Sequence, residues 1–243
     1  MNKIYVFGHR GAMGYCMENT MSSFKKAVEF KVGIETDVRL TKDDKLICFH
    51  DPVIRVNNKW IKIKDITFER LNSIQLNPKI KIPLIKNVFE KFKDINYDLR
   101  YSFDIGSKKA GEKLVRLLRD YRIISKTQIN ITSYNYLRFL RTKFKFIKLV
   151  FTIPHKIVKI KEPKVNFSKL HEFNVHAINL GRNRYLKENF IKVIENGFPC
   201  YVWGVNSKLS MKTVINMSHK DQGFSAIYTD YPDILKKLIE KNI

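Results

Sequence analysis

The sequence predicts an α/β fold, a (β/α)8 TIM barrel with a small insertion after the second strand. Short runs rich in β-branched and aromatic residues alternate with longer segments of helical periodicity, which is typical of repeated βα units. Eight such units of about 30 residues fit the 243-residue chain and the usual size of this barrel. Only 10 glycines and 7 prolines occur, and no linker-like stretch divides the chain. We therefore expect a single domain over residues 1–243.

The first two units are predicted from local patterns. Ile4–Gly8 is a strand, and Asn19–Phe30 follows as a helix whose apolar residues recur at helical spacing. Gly33–Val38 is the second strand. A tight turn at Thr41–Lys45 leads into a short strand at Leu46–Phe49, which indicates a hairpin. The insertion is expected near residues 44–82.

Six further strands alternate with helical patterns, among them helices at Pro83–Lys93 and Gly111–Tyr121. The predicted strands are Arg100–Ile105, Gln128–Thr132, Lys148–Thr152, Val175–Leu180, Cys200–Val205 and Ala226–Thr229. An open doubly wound sheet is the structural alternative, and it normally has a glycine-rich phosphate-binding turn after its first strand. Here that turn is Gly8-His9-Arg10-Gly11, whose polar residues favour a catalytic loop in a barrel.

Composition excludes several classes of protein. No run of about 18 apolar residues is present, so the sequence predicts no transmembrane helix. The N-terminus lacks the features of a signal peptide, and three cysteines are too few for a disulfide framework, so we expect a cytoplasmic protein. The net charge of +23 favours polyanionic partners, but heavy use of Lys, Asn and Ile is also what AT-rich codons produce. Charge alone therefore does not select a function.

Three acidic residues on neighbouring predicted strands form a candidate metal site. Glu35 and Asp37 are two residues apart on one strand and so face the same side, and Asp104 lies on the next barrel strand. Adjacent carboxylates repel one another and usually need a cation. An all-oxygen set of this kind suits Mg²⁺ or Ca²⁺.

Two histidines and an arginine lie at neighbouring strand ends. His9 and Arg10 follow the first strand, and His50 ends the hairpin. In a barrel, the carboxyl ends of the strands build the active site, so these residues are expected to converge with the acids at one mouth. A histidine pair suits a general base and a general acid, because imidazole titrates near neutral pH. Arg10 offers a planar fork for a phosphate.

Motifs from residue 9 to about residue 235 resemble the glycerophosphodiester phosphodiesterase family, one of the phospholipase-C-like phosphodiesterase barrels. The matching segments are His9-Arg10-Gly11, Glu18-Asn19-Thr20, Glu35-Thr36-Asp37-Val38-Arg39-Leu40-Thr41-Lys42-Asp43, His50-Asp51, Ile82-Pro83-Leu84, Thr132-Ser133-Tyr134, Val202-Trp203-Gly204-Val205-Asn206 and Ala226-Ile227-Tyr228-Thr229-Asp230-Tyr231-Pro232. The segments between residues 9 and 51 are the most specific.

The resemblance implies hydrolysis of a glycerophosphodiester to sn-glycerol 3-phosphate and an alcohol such as choline or ethanolamine. The three acids named above would hold one divalent cation, Mg²⁺ or Ca²⁺. His9 would act as general base on the attacking oxygen, either water or, through a cyclic intermediate, the glycerol 2-hydroxyl, and His50 would protonate the leaving oxygen. Arg10 would bind the phosphate, and Trp203 would line the pocket near the substrate's organic groups.

One departure from the family pattern affects the expected phosphate site. Asp104-Ile105-Gly106 stands where the family has Glu-Ile-Lys, so Gly106 removes a cation usually near the phosphate. Lys108 and Lys109 in the following loop are candidate replacements. The change leaves two alternatives open: a lysophospholipase-D-like or sphingomyelinase-D-like phosphodiesterase, and a catalytically weak polyanion-binding protein.

Further residues are considered for partners and catalysis. The basic segment Arg138–Lys164 has nine Lys or Arg and a single acid, and with its apolar residues it could touch an anionic membrane, although a solvated loop is the simpler interpretation. Nucleic acid is not an expected partner, because the sequence has neither a zinc knuckle nor an RNP-type motif. The remaining histidines match no motif and are expected to be non-catalytic: His155, His171, His176 and His219.

Overall fold

A computed structural model describes residues 4–74 and 81–241. The strands, in chain order, are β1 (Tyr5–Gly8), β2 (Gly33–Leu40), β3 (Leu46–Cys48), β4 (Val53–Val56), β5 (Lys59–Lys62), β6 (Tyr101–Ile105), β7 (Thr127–Ile131), β8 (Lys148–Thr152), β9 (Ala177–Gly181), β10 (Cys200–Trp203), β11 (Ser218–His219), β12 (Gln222–Gly223) and β13 (Ala226–Thr229). The α-helices are α1 (Met21–Glu29), α2 (Phe68–Ser73), α3 (Ile85–Phe92), α4 (Lys108–Asp120), α5 (Tyr134–Lys143), α6 (Phe167–Glu172), α7 (Leu186–Glu195), α8 (Lys208–Ile215) and α9 (Pro232–Glu240).

Eight parallel strands close into a barrel, as the sequence predicts. Their order around the barrel is β1, β2, β6, β7, β8, β9, β10, β13 and back to β1. The ring closes where Phe7 pairs with Gly33 on one side of β1, and where Tyr5 pairs with Ala226 on the other. Since parallel strands all point the same way, their carboxyl ends surround one mouth.

Local backbone chemistry accounts for two differences from the predicted boundaries. The first helix begins at Met21 rather than Asn19, because the Thr20 side chain caps it by accepting a hydrogen bond from the Ser23 amide. Strand β10 ends at Trp203 rather than at Val205. Gly204 follows with φ of +78°, a left-handed conformation that takes the chain out of the sheet.

The segment after β2 forms the predicted hairpin and insertion. Strand β3 pairs antiparallel with β2, with Val38 opposite Cys48. The strands β4 and β5 form a second hairpin, turned through Asn57 and Asn58, both at positive φ. A small apolar cluster that includes Leu71 packs beneath it. Part of the predicted insertion, residues 75–80, lies outside the described residues.

The barrel interior changes from apolar to polar toward the mouth. Phe7 and Tyr228 stack inside it with ring centroids 5.0 Å apart. The Tyr228 hydroxyl then meets Ser102 Oγ at 3.0 Å and accepts a hydrogen bond from Gln128 Nε2 at 2.6 Å. A second, larger apolar layer lies between the strands and the helices. This hydrogen-bonded polar layer lies directly beneath the residues at the mouth.

The basic segment after β8 is packed against α7. Ile160 of this segment is buried, its amide donates to Asn189 Oδ1, and its carbonyl accepts a hydrogen bond from Lys192 Nζ. Lys159 pairs with Glu188. Of its apolar side chains, Val158 is exposed. Within the two described stretches of chain, no helix combines the length and the hydropathy needed to cross a membrane.

Candidate active site

All seven predicted site residues line one cavity of about 510 Å³ at the barrel mouth. They are His9, Arg10, Glu35, Asp37, His50, Asp104 and Trp203. The carboxyl ends of β1, β2, β6 and β10 and the end of the β2–β3 hairpin bring them together. The placement agrees with the expected position of an active site in this fold.

The register of two strands builds the acidic cluster. Asp37 on β2 lies directly beside Asp104 on β6, and Glu35 precedes Asp37 by two residues on the same face. One carboxylate oxygen from each of the three residues lies within 4.8 Å of the others. Glu35 and Asp37 are buried, and Asp104 is half-buried.

Burial and mutual repulsion make this cluster electrostatically unfavourable by itself. Burial, together with the charges of Asp37 and Asp104, raises the pKa of Glu35 well above its ordinary value. Burial and the charge of Asp37 raise the pKa of Asp104 to about 6. A divalent cation would relieve both effects, and three carboxylates are the ligands that Mg²⁺ and Ca²⁺ prefer. The residues present therefore fit a hard divalent cation.

Amide side chains orient two of the carboxylates. Asn19 Nδ2 donates to Asp37 Oδ2 at 3.0 Å, and Asn130 Nδ2 donates to Asp104 Oδ1. The Asn130 Oδ1 atom is buried and has no hydrogen-bond partner among the described residues. Such surrounding hydrogen bonds hold ligands in the geometry that a metal site needs.

The turn after β1 is shaped around Glu35. Arg10 has φ of +49° and Gly11 has φ of +77°. In this conformation the Arg10 amide donates to Glu35 Oε2 at 2.7 Å, and the Gly11 amide donates to the Glu35 carbonyl at 3.0 Å. A Cβ at Gly11 would collide with Ser23 of α1. The turn therefore requires glycine at this position, on conformational and steric grounds.

Each of the two site histidines has a carboxylate at Nδ1. His9 Nδ1 donates to Asp230 Oδ1 at 2.8 Å, and Asn206 Nδ2 holds the other oxygen of Asp230 at 2.6 Å. His50 Nδ1 donates to Asp51 Oδ1 at 2.7 Å. Because carboxylates only accept, both rings carry their hydrogen on Nδ1 when neutral, and Nε2 remains the basic atom.

Arg10 is held by two acids at the edge of the cavity. Its Nη1 donates to Glu18 Oε2 at 2.6 Å, and its Nε lies 3.3 Å from Asp37 Oδ2. Burial lowers the pKa of Arg10, but the charges of Asp37 and Glu18 outweigh burial and raise it. The guanidinium is therefore a fixed positive charge beside the acidic cluster.

An aromatic wall closes the opposite side of the cavity. Trp203 lies over Gly181, where a Cβ would be 2.9 Å from its ring. His155 meets Trp203 edge to face, with centroids 4.7 Å apart, and lines the same cavity. We expected His155 to be non-catalytic from the absence of a motif, and the structure places it at the mouth. The indole Nε1 is buried without a hydrogen-bond partner among the described residues.

Several residues at the site were not assigned roles from the sequence. They are Arg39, Asn130, His155, Asn179, Asn206 and Asp230. Asp230 directly follows the last barrel strand, within a segment that resembles the family, so a search of every strand end for acids would have found it. The amides carry no comparable signal, because asparagine is common in turns.

The two lysines considered as replacements at the phosphate site are directed elsewhere. Both belong to α4 and not to a loop. Lys109 Nζ pairs with Asp44 Oδ1 at 2.7 Å, and Lys108 Nζ lies 5.4 Å from the centroid of the Phe139 ring. Neither lysine lines the catalytic cavity.

Comparison with known proteins gives consistent matches. Residues 9–234 match the Glycerophosphoryl diester phosphodiesterase family. A glycerophosphodiester phosphodiesterase of Caldanaerobacter subterraneus subsp. tengcongensis is 27% identical, and the alignment covers 98% of this chain and 99% of that protein. Human lysophospholipase D GDPD1 is also 27% identical, over 95% of this chain and 84% of its own length.

Solved structures share the fold at lower identity. A phosphodiesterase of Oleispira antarctica, solved in complex with the product sn-glycerol-3-phosphate, has a TM-score of 0.80 at 17% identity, covering 97% of this chain and 96% of that one. A glycerophosphodiester phosphodiesterase of Thermotoga maritima has a TM-score of 0.74 at 22% identity, covering 98% and 99%.

Proposed function

The chain belongs to the glycerophosphoryl diester phosphodiesterase family, and on that premise we propose that it hydrolyses glycerophosphodiesters to sn-glycerol 3-phosphate and an alcohol with the help of one divalent cation. One observation carries the proposal. Two histidines, each with a carboxylate at Nδ1, lie in one cavity with a buried cluster of three carboxylates. This arrangement supplies acid–base groups and a cation site for a phosphodiester.

Glu35, Asp37 and Asp104 would hold the cation, which is Mg²⁺ or Ca²⁺ by the chemistry of their oxygens. When bound, the cation neutralises the charge that develops on the phosphoryl oxygens. Arg10 adds a fixed positive charge on the same side of the cavity. Together these charges reduce the repulsion that an anionic diester presents to a nucleophile.

The histidines would move the two protons of the reaction. His9 takes the proton of the attacking oxygen at Nε2. Attack by water gives sn-glycerol 3-phosphate directly, whereas attack by the glycerol 2-hydroxyl gives a cyclic phosphodiester that a water molecule then opens to sn-glycerol 3-phosphate. Asp230 keeps the His9 ring oriented and stabilises its charged form. His50 gives a proton from Nε2 to the leaving alcohol oxygen, with Asp51 in the orienting position. Each transfer contributes about 10²–10⁴ in rate.

Trp203 would contact the organic groups of the substrate. Its indole forms one wall of the cavity, and His155 supports its edge. An aromatic face also suits a quaternary ammonium such as choline.

The first test is release of sn-glycerol 3-phosphate from glycerophosphocholine by the purified protein, with EDTA, with Mg²⁺ and with Ca²⁺. We expect metal-dependent release that His9→Ala and His50→Ala each reduce by about 100-fold or more. His219→Ala, outside the cavity, is the matched control. Release that survives both active-site substitutions would contradict the two-histidine mechanism. Absence of release under every metal would favour a lysolipid substrate, and absence of activity on the lysolipid as well would favour the polyanion-binding alternative.

A second candidate substrate, lysophospholipid, is favoured by a neighbouring apolar cavity. This cavity, of about 580 Å³, shares Arg39 and Gly106 with the catalytic cavity. Its lining includes Leu40, Val53 and Ile63. A relative, human lysophospholipase D GDPD1, has this activity in its name. The test compares choline release from lysophosphatidylcholine and from glycerophosphocholine, and preference for the lysolipid by kcat/KM would support this candidate.

We also propose where the protein acts. Cys16, Cys48 and Cys200 are free thiols, which supports a reducing compartment such as the cytoplasm. Lys156 directly follows His155, which lines the cavity, and both Lys156 and Lys161 of this segment are exposed. These lysines support peripheral contact with an anionic membrane.

A further inference from the structure

Arg39 continues the row of side chains that build the acidic cluster. Glu35, Asp37 and Arg39 are spaced two residues apart on β2, so their side chains project on the same face. Asp37 pairs with Asp104 across β2 and β6, and the next inward position on the β6 side is Gly106. Arg39 and Gly106 both line the catalytic cavity.

The guanidinium of Arg39 uses only part of its hydrogen-bonding capacity. Nε donates to the His50 carbonyl at 2.9 Å, and Nη2 donates to the same oxygen. Nη1 makes no hydrogen bond to a residue in the described part of the chain, and it lies over Gly106. A guanidinium with two nitrogens anchored and a third open is oriented for an anionic oxygen.

Gly106 is what leaves room for this position. A Cβ built at residue 106 would overlap Arg39 Nη1 and approach its Cδ and Cζ at 3.1 Å. Gly106 is not among the glycines with positive φ, so its backbone does not require glycine. The glycine is therefore explained by space for the arginine side chain.

The charges around Arg39 differ from those around Arg10. Burial lowers the pKa of Arg39, whereas Asp37, Asp51 and Asp104 oppose that effect by charge. A guanidinium stays protonated under these conditions, because its ordinary pKa is far above neutral. Arg10 is engaged by Glu18 and Asp37, whereas Arg39 makes no ion pair with a described residue within 4.0 Å. Arg39 is therefore the less neutralised of the two cations.

We propose that Arg39 is a substrate-binding residue whose Nη1 donates to a phosphoryl oxygen of the diester, in the place that the lysine expected at position 106 would serve. Its Nε and Nη2 hold the backbone of His50 at the same time, and so align the phosphate with the proposed general acid. This inference rests on the proposed function. Lys108 and Lys109 are engaged elsewhere and do not supply this charge.

The test moves the positively charged side chain from position 39 on β2 to position 106 just after β6. Arg39→Ala is expected to lower kcat/KM for glycerophosphocholine by about 100-fold, as the loss of one charge-assisted donor in a reacting site does. In the double variant, Arg39→Ala removes the side chain that a residue larger than glycine at position 106 would clash with, and Gly106→Lys restores a positive charge there. We therefore expect kcat/KM to recover at least tenfold relative to Arg39→Ala. Gly106→Lys alone is expected to reduce activity, because the new side chain and Arg39 compete for the same space. Arg55→Ala, on β4 outside the cavity, is the matched control.

Binding of sn-glycerol 3-phosphate, measured by calorimetry, separates a substrate contact from support of His50. Arg39→Ala is expected to weaken this binding at least tenfold, and Arg39→Lys, which keeps the charge but not the planar fork, is expected to weaken it less. Unchanged binding in Arg39→Ala, or a double variant no more active than Arg39→Ala, would overturn the proposal. If the wild-type protein binds sn-glycerol 3-phosphate but hydrolyses no diester, the proposed function fails, while the binding comparison still decides the role of Arg39. Thermal melts of all variants check that they are folded.

Discussion

Asp37 on β2 and Asp104 on β6 lie directly beside each other at the mouth of the barrel. Asp37 is buried and Asp104 is half-buried. A sheet brings such neighbours to within about 5 Å, so neither carboxylate can avoid the charge of the other. Together with Glu35, the pair forms a site where a bound cation would be coordinated by the carboxylates and would offset their mutual repulsion.

Asp104→Asn is expected to stabilise the metal-free protein at pH 7.5. The folded-state pKa of Asp104 is about 6, against an ordinary value of 3.8, so the folded state holds this proton more tightly than the unfolded state. The stability from that proton is complete below pH 3.8 and lost as pH rises through about 6. The difference corresponds to about 3 kcal/mol, and Asn130 can still donate to the amide oxygen. Chemical denaturation at pH 7.5 and pH 4 measures it, and an equal effect at both pH values would contradict this account.

When the cation is bound, the wild type is expected to be more stable than Asp104→Asn, the reverse of the metal-free comparison. Mg²⁺ or Ca²⁺ at 100 times its Kd raises the free energy of unfolding of the wild type by about 2.7 kcal/mol. Asp104→Asn loses one ligand and should gain much less. Thermal melts across a metal titration, with Asp98→Asn as a control acid outside the cavity, give the comparison. An equal response of both proteins would show that the ion binds elsewhere.

Asp230→Asn is expected to lower kcat while leaving metal binding unchanged. An amide at this position can offer its nitrogen to His9 Nδ1 and favour the wrong tautomer of the ring. A loss of about 100-fold or more is therefore expected, close to that of His9→Ala. Steady-state kinetics with matched metal concentrations measures it. Near-normal kcat would mean that the carboxylate does not orient the ring.

Gly11→Ala is expected to be more destabilising than Gly197→Ala. Both glycines have φ of +77°, so both substitutions carry the same conformational strain of about 1 kcal/mol. A Cβ at Gly11 also collides with Ser23, whereas a Cβ at Gly197 would come no closer than 3.9 Å, to His171 Cε1, among the described residues. We expect an additional loss of about 1–3 kcal/mol at Gly11. Urea unfolding of the pair isolates the steric part, and equal losses would contradict it.

Membrane contact predicts that the lysines of the segment after His155 control binding to anionic vesicles. Neutralising Lys156, Lys161 and Lys164 to Gln should weaken binding to phosphatidylserine-containing vesicles, at about 1 kcal/mol per lysine near the surface. Neutralising three other exposed lysines to Gln, Lys93 just after α3 and Lys237 and Lys241 on and just after α9, serves as the charge-matched control. Vesicle cosedimentation at two salt concentrations measures the effect. Equal loss in both sets would indicate attraction by net charge alone.

Much of the site could be predicted from the sequence because its residues occupy strand ends. The two-residue spacing of Glu35 and Asp37 determines that they share a face in any strand, and the alternation of elements placed His9, His50 and Asp104 at the same end of a parallel barrel. These features depend on local periodicity and on the direction of the chain.

Only the tertiary structure decided the relationships between residues far apart in the chain. His9 meets Asp230 across 221 positions because closure of the barrel sets β1 beside β13. The Arg39 side chain occupies the space beside Gly106 because β2 and β6 pair in one particular register. Sequence spacing constrains the face and direction of a side chain, but strand register and barrel closure determine what lies opposite it, since a shift of one residue would exchange every neighbour.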